Sequence, residues 1–313
     1  MRLRFLPFIF FAVLLVLPSP LHAQGEPVEI TGASRAEYDD RTGVWVLQGE
    51  EVLLRKGDLE LRAPFVRYSQ KERVAFASGG VVARSRDQEV RAPEVQVFLE
   101  EERAVAHGGA MVRYSREDGE TTLTADWITA WWGEGRAVAE GNVVVTSTEA
   151  TAPATPGEGV TVTTLHAQRV QVWDRGRRAV AEGSVTVHRG DTVLTGERLE
   201  VDQRKETIVV SGSPWVRVKD TEGRAGLIEA RTREEVVFLR GGVRITRGSL
   251  EATAPEGEIR RKEGWARLSG GVTLIRTVEG KRDLLTAESM TVYLDEERVL
   301  AEGSPRAVVY LRP

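Results

Sequence analysis

The sequence predicts an all-β protein, a folded-over antiparallel sheet built from nine repeats of about 29 residues. Alanine stands sixteen residues before the repeat glycine in every repeat but one, where the residue is Gly196. The number of residues varies only in the segment between a repeat glycine and the next of these alanines. Residues two and four before each repeat glycine are apolar, and this period of two is typical of strands. The repeat glycines are Gly49, Gly79, Gly108, Gly141, Gly183, Gly212, Gly241, Gly270 and Gly303.

The first 23 residues have the pattern of a secretory signal. Arg2 and Arg4 precede the apolar run Phe5–Leu17, and Ala23 ends a plausible cleavage site. The run has 13 residues, whereas a membrane-spanning helix needs about 20. We therefore expect a cleaved signal and a mature periplasmic protein of residues 24–313; the alternative is an uncleaved segment that anchors the chain in the inner membrane.

Composition excludes several function classes. The 47 acidic and 43 basic residues give a formal charge of −4, so no nucleic-acid partner is expected. The chain has no Cys and four His, and it lacks phosphate-binding, dinucleotide and nucleophile motifs. We expect no catalytic residues, no metal and no cofactor. A carbohydrate-active β-helix enzyme stays a minor alternative, because acidic runs such as 100–102 are typical of solvated turns.

Each repeat is predicted to supply two long strands that bend at mid-length, so that the sheet has two walls and two lips. The repeat glycine is expected on the inner face, where a side chain would obstruct the bend. The fixed lip carries turns of constant length, and the variable lip carries every insertion, including the loop 149–159. Strands near 30–38 and 307–311 would have unpaired edges that favour pairing with another chain.

Apolar columns on the returning strand are predicted to face inward. They are either a dry core or a groove for acyl chains, and the period of two does not separate these alternatives. The candidate lipid-binding residues in these columns are Val66, Tyr68, Val95, Val97, Ile128, Val170, Val172, Leu199, Val201, Met290 and Val292.

Aromatic residues cluster ten residues before the repeat glycine, at the fixed lip. Three of them fall in consecutive repeats, which predicts that they are neighbours. They are either ordinary strand-end aromatics or a lip that grips lipid or a partner. The lip aromatics are Phe98, Trp131, Trp173 and Tyr293 at this position, and Trp132, one residue later, extends the cluster.

The repeat unit resembles a known family. Leu123-x-Ala125-x-x-Ile128, followed by the run 137–143 (AVAEGNV), is similar to the OstA-like repeat of periplasmic lipopolysaccharide-transport bridge proteins, which is related to the periplasmic domain of the outer-membrane lipopolysaccharide-assembly protein. The resemblance extends from about Ile30 to Tyr310. It implies an open β-jellyroll that shields the acyl chains of a glycolipid in the periplasm.

The same resemblance implies the partners. They are an acylated glycolipid, other jellyroll transport proteins that pair end to end, and the outer-membrane assembly barrel. We therefore expect a non-enzymatic carrier or bridge in outer-membrane assembly. A rigid periplasmic scaffold with a dry core and no ligand is the alternative.

Overall fold

The structure is a computed structural model that describes residues 28–85, 87–117, 119–150, 160–293 and 298–310. The predicted signal peptide and residues 151–159 of the predicted lip loop lie outside the described residues. The described part of the chain divides into two compact units, one that ends at Ala181 and one that begins at Glu182. We call these the N-terminal unit and the C-terminal unit.

The N-terminal unit consists of antiparallel strands that follow one another in chain order. Consecutive long strands pair with each other from the third strand to the tenth. The strands are β1 (Glu29–Thr31), β2 (Arg35–Asp39), β3 (Val44–Lys56), β4 (Leu59–Ser69), β5 (Val74–Ser85), β6 (Gln88–Phe98), β7 (Arg103–Arg116), β8 (Gly119–Trp131), β9 (Arg136–Ala150) and β10 (Val160–Trp173).

The C-terminal unit is also built from antiparallel strands, and β11 (Arg178–Arg189) contains the boundary between the units. The strands that follow are β12 (Thr192–Asp202), β13 (Thr207–Ser211), β14 (Trp215–Val218), β15 (Thr221–Arg224), β16 (Leu227–Arg231), β17 (Val236–Arg247), β18 (Leu250–Arg260), β19 (Trp265–Val278), β20 (Lys281–Tyr293), β21 (Arg298–Glu302) and β22 (Arg306–Val308).

Helical structure is almost absent from the described ranges. They contain one 3-10 turn, Asp174–Gly176, beside the strands. None of their helical residues forms a helix long and apolar enough to cross a membrane. The predicted all-β, antiparallel fold class is confirmed, whereas the number of repeats stays a prediction.

The long strands bend where the repeat predicts a bend. In the β4–β5 pair the register shifts between Arg62 and Phe65 of β4, opposite Val82 and Ser78 of β5. Similar shifts interrupt the β7–β8 and β18–β19 pairs at the corresponding positions. An extra residue on the glycine-bearing strand is a β-bulge, which bends a strand and increases its twist.

The repeat glycines do not face inward, and this prediction is wrong. Gly79 and Gly108 are exposed and have φ angles of +93° and +87°. A Cβ atom at Gly79 would lie 3.1 Å from Cγ of Pro64, and one at Gly108 would lie 3.0 Å from Cγ of Pro93. Glycine is needed because the bulge requires a positive φ beside a proline ring on the outer surface.

Among the described residues, strands are interrupted at the bend between β1 and β2, β13 and β14, β15 and β16, and β21 and β22, and two of these breaks contain proline. Gly212 and Ser213 have φ angles of +79° and +56°, and Pro214 follows. β13 therefore ends at Ser211 and β14 begins at Trp215. Gly303-Ser304-Pro305 separates β21 from β22 in the same way. Proline has no backbone N–H to donate, so pairing stops at these points.

The inner faces of both strand halves are buried. In β9, Ala139 before the bend is 0% exposed and Val143 after it is 1% exposed. The described part of the N-terminal unit contains only this strand layer and the short 3-10 turn. The two halves of the bent strands must therefore cover each other, as the two walls of the predicted folded sheet do.

Candidate functional site

Four predicted inward residues of the N-terminal unit lie in one cross-strand row. Val66 and Val95 both pair with Ala77, and Ala106 joins Val95 to Ile128. Val170 continues the row through Ala139. The exposed fractions of these side chains are small: Val66 2%, Val95 8%, Ile128 4% and Val170 4%.

A second row lies two residues closer to the fixed lip. Tyr68 and Val97 pair with Ala75, and Val172 pairs with Ala137. Tyr68 and Val97 are half-buried, and Val172 is buried. The sequence therefore predicts correctly which residues share the inner face of this unit, whereas their role as lipid contacts stays a prediction.

The C-terminal unit contains a cavity of about 580 Å³. Two predicted residues, Met290 and Val292, line it, and Val292 remains 36% exposed. The predicted residues Leu199 and Val201 are buried in the same unit but are not among the lining residues. A volume of this size is in the range of small-molecule sites, about 300–1,000 Å³.

Both halves of the bent strands line this cavity. Leu239 and Leu268 come from the half before the bend, and Ile245 and Leu274 come from the half after it. The sequence-based list of candidate binding residues omits these four side chains. The signal was present, because they occupy the apolar columns two residues before and four residues after Gly241 and Gly270.

Charged residues are also among those that line the cavity. Arg247 lies at the variable lip, Glu235 and Arg261 lie in turns of the fixed lip, and Glu222 and Arg224 lie in β15. The site thus combines an aliphatic interior with ionic groups at its edge. This arrangement suits a molecule with an apolar body and a polar end.

One of these charges is paired at the variable lip. Arg247 Nε lies 3.2 Å from Asp220 Oδ2. The hydrogen bond from Arg247 lowers the pKa of the Asp220 carboxyl below its ordinary value. Both side chains are well exposed, so this ion pair contributes little to stability.

The predicted lip aromatics are not direct neighbours of one another. Arg103 lies between Phe98 and Trp131 in cross-strand register. Its guanidinium is 3.8 Å from the Phe98 ring centroid, and that of Arg136 is 3.9 Å from the Trp131 ring centroid. Each ring is therefore covered by a cation. Arg178 and Arg298 stand over Trp173 and Tyr293 in the same manner, at 5.7 and 4.3 Å.

Trp132 does not extend this row. It is only 7% exposed, whereas Trp131 beside it is half-buried. Trp131 is the last residue of β8, whereas Trp132 lies in the turn that follows, where its backbone N–H donates to the Glu102 carbonyl. The buried Nε1–H of Trp132 has no hydrogen-bond partner among the described residues.

An exposed cluster on the outer face was not expected from the sequence. The rings of His107 and Trp127 stack with centroids 4.9 Å apart, and His107 Nε2 lies 3.3 Å from Glu94 Oε2. Trp127 is 52% exposed. Within the part of the chain that the structure describes, no group of three or more His, Asp or Glu side chains is arranged to hold a metal ion.

A comparison with protein-family models matches residues 164–298 to the family described as "LptA/(LptD N-terminal domain) LPS transport protein". Residues 164–298 are an OstA-like domain of the lipopolysaccharide-transport family. The predicted family is thus confirmed on a segment that includes all but one of the cavity-lining residues. The family is one of transport proteins, which agrees with the prediction that the chain is not an enzyme.

Among solved structures, the chain is similar to LptH, described as the LptA homologous periplasmic component of the lipopolysaccharide transport device from Pseudomonas aeruginosa. The two are 15% identical over 60% of this chain and 84% of LptH, with a TM-score of 0.19. The comparison with curated proteins gives no match.

Proposed function

We propose that this OstA-like protein is a non-enzymatic periplasmic carrier of an acylated, lipopolysaccharide-like glycolipid in outer-membrane assembly. The observation that supports the proposal is the apolar cavity within the segment that matches the family. Acyl chains occupy the space between the two strand halves, and the sugars lie outside it. Each methylene group transferred from water contributes about 0.8 kcal/mol.

Exposed strand edges support a role as a bridge. β1 and β2 pair with β3, and β21 and β22 pair with β20. Among the described residues, the residue pairings of these four strands join them to β3 or β20 on one edge only. Ile30 and Leu300, on the two terminal edges, are 42% and 43% exposed. Such edges accept a strand from another chain, here another jellyroll transport protein or the outer-membrane assembly barrel.

Variants of one strand test the carrier function. Leu274→Asp places a carboxylate in the cavity, where an unpaired charge is costly. Thr273→Asp places the same group one residue away, on the opposite face. Mass spectrometry of lipid copurified from the native envelope should show acylated glycolipid with the wild type and Thr273→Asp, and about tenfold less with Leu274→Asp. Circular dichroism checks that both variants fold. Wild-type protein without bound glycolipid would contradict the proposal.

A second function, as a rigid scaffold, is favoured by the N-terminal unit. Its inner row is at least nine-tenths buried by protein atoms, as Val66 and Ile128 show. Well-packed rows of this kind form a dry core. The N-terminal unit then serves as a spacer, and lipid binds in the C-terminal unit.

A further inference from the structure

Two arginines lie at the variable-lip rim of the cavity. Arg247 and Arg276 stand two residues beyond Ile245 and Leu274, which line the cavity. Residues two apart on a strand project from the same face. The two arginines therefore share the inner face with the aliphatic lining, and Arg247 itself contributes to the lining.

An exposed leucine separates these arginines. Leu250 pairs with Arg247 on one side and with Arg276 on the other. It also lines the cavity and is 40% exposed. Strands two apart in a sheet are about 10 Å from each other. The rim thus presents two cations on either side of an apolar side chain.

This rim differs from the corresponding position in the N-terminal unit. Six residues after a repeat glycine, that unit has Arg55, Ser85, Tyr114 and Ser147, whereas two consecutive repeats at the cavity both have arginine, Arg247 and Arg276. Ser85 and Ser147 are 7% and 4% exposed. A pair of arginines in consecutive repeats therefore stands at the cavity, whereas in the N-terminal unit Arg55 is followed by Ser85 at the same position of the next repeat.

We propose that Arg247 and Arg276 bind the phosphate of an anionic amphiphile whose chains occupy the cavity. The inference rests on the proposed carrier function and adds the headgroup class. Guanidinium groups bind phosphate through paired, charge-assisted hydrogen bonds. Asp220 competes for Arg247, and Asp283 is the cross-strand neighbour of Arg276. Since the Arg247–Asp220 pair is exposed and weak, phosphate displaces it.

Isothermal titration calorimetry of the mature chain tests which headgroup is bound. The three probes are dodecyl phosphate, dodecyl maltoside and inorganic phosphate, and both detergents are used below their critical micelle concentrations. The double variant Arg247→Gln/Arg276→Gln should bind dodecyl phosphate about tenfold more weakly, the loss expected when charged hydrogen bonds are removed. Its affinity for dodecyl maltoside should stay within about twofold of wild type, because the chain pocket is unchanged.

Two further variants test whether Asp220 competes with phosphate and whether the loss of any positive charge weakens binding. Asp220→Asn should bind dodecyl phosphate more tightly, because the competing carboxylate is removed. Arg244→Gln is the matched control: it removes one positive charge from the same strand, on the face opposite Ile245, where Arg244 lies near Glu251. It should leave both detergent affinities unchanged. Circular dichroism confirms that each variant folds.

The outcomes separate the two proposals. Binding of both detergents with no effect of Arg247→Gln/Arg276→Gln overturns the phosphate rim and leaves the carrier function intact. Absence of binding by either detergent overturns the carrier function, and the rim with it. Inorganic phosphate that binds as tightly as dodecyl phosphate shows an anion site independent of the cavity, which also overturns the inference.

Discussion

Gly270 lies directly against the ring of Pro255, so that a Cβ atom at Gly270 would be 3.0 Å from Pro255 Cγ. Both residues are at the bend between the two halves of β18 and β19. The glycine has a φ of +90°. Its close approach to the proline and its backbone conformation both explain why this column of the repeat is glycine.

Alanine substitutions separate these two reasons. Gly270→Ala introduces a strained φ and a contact with Pro255. Gly271→Ala, with a φ of +95° and no atom within 4 Å of its Cβ position, introduces only the strain. We expect Gly271→Ala to lower the free energy of unfolding by about 1–3 kcal/mol and Gly270→Ala to lower it further. Urea denaturation measures both values, and equal losses would show that the proline contact is unimportant.

The free edges predict association between chains. Ile30→Lys and Leu300→Lys place a cation on a terminal edge strand, a substitution that blocks edge-to-edge pairing. We expect wild-type protein to form concentration-dependent oligomers in sedimentation velocity experiments and each variant to form fewer. Val162→Lys is the control, because Val162 is 47% exposed but lies in β10, away from both terminal edges. Equal association by all four proteins would argue against end-to-end pairing.

The sequence predicts the alternation of the strands well because burial of one face imposes a period of two. Val66, Val95 and Ile128 fall in one row as that period requires. The orientation of the glycines could not be predicted in this way. At a bulge the period of two is interrupted. The face of the sheet on which the glycine lies then depends on its φ angle and on the proline of the neighbouring strand.

The position of the cavity could not be predicted from the sequence pattern either. The apolar columns of the two units are alike, yet Val172 is 1% exposed whereas Val292, in the same column, is 36% exposed and lines the cavity. How far such a residue is covered depends on the packing of many side chains together, which the apolar column itself does not encode. Likewise, the arginines between the lip aromatics become visible only when the strand register is known, as for Arg103 between Phe98 and Trp131.

Ion pairs on the outer face predict a pH dependence of stability. The Glu89 carboxylate accepts 2.6 Å hydrogen bonds from Arg91 and Arg84, and the Arg91 bond is the main cause that lowers the pKa of Glu89 below its ordinary value of 4.5. A pKa that is lower in the folded state stabilises the protein above the unfolded pKa. This stabilisation is lost as the pH falls through the folded pKa.

Glu89→Gln tests this dependence. We expect it to lower the free energy of unfolding at pH 7 by less than about 1 kcal/mol, because the pair is near the surface. The difference from wild type should disappear below the folded pKa of Glu89. Glu72→Gln, in the exposed turn after β4, is the control and should change neither value. Chemical denaturation between pH 2 and pH 7 measures the difference in unfolding free energy between Glu89→Gln and wild type. A difference that does not change with pH would contradict a lowered pKa of Glu89 as its cause.

Photo-crosslinking tests which face of a strand contacts the lipid, because neighbouring residues of a strand lie on opposite faces. A crosslinker at Leu268, which lines the cavity, should capture acylated glycolipid in the native envelope. A crosslinker at Arg267, which points to the opposite face toward Glu302, should not. Equal capture at both positions, or at neither, would remove the carrier function and leave the scaffold. Ile128, compared with Thr129, tests the N-terminal unit: a crosslinker at Ile128 captures lipid only if the groove, one of the two alternatives that the sequence leaves open, continues there. Absence of capture there, together with capture at Leu268, would assign lipid binding to the C-terminal unit, which contains the cavity.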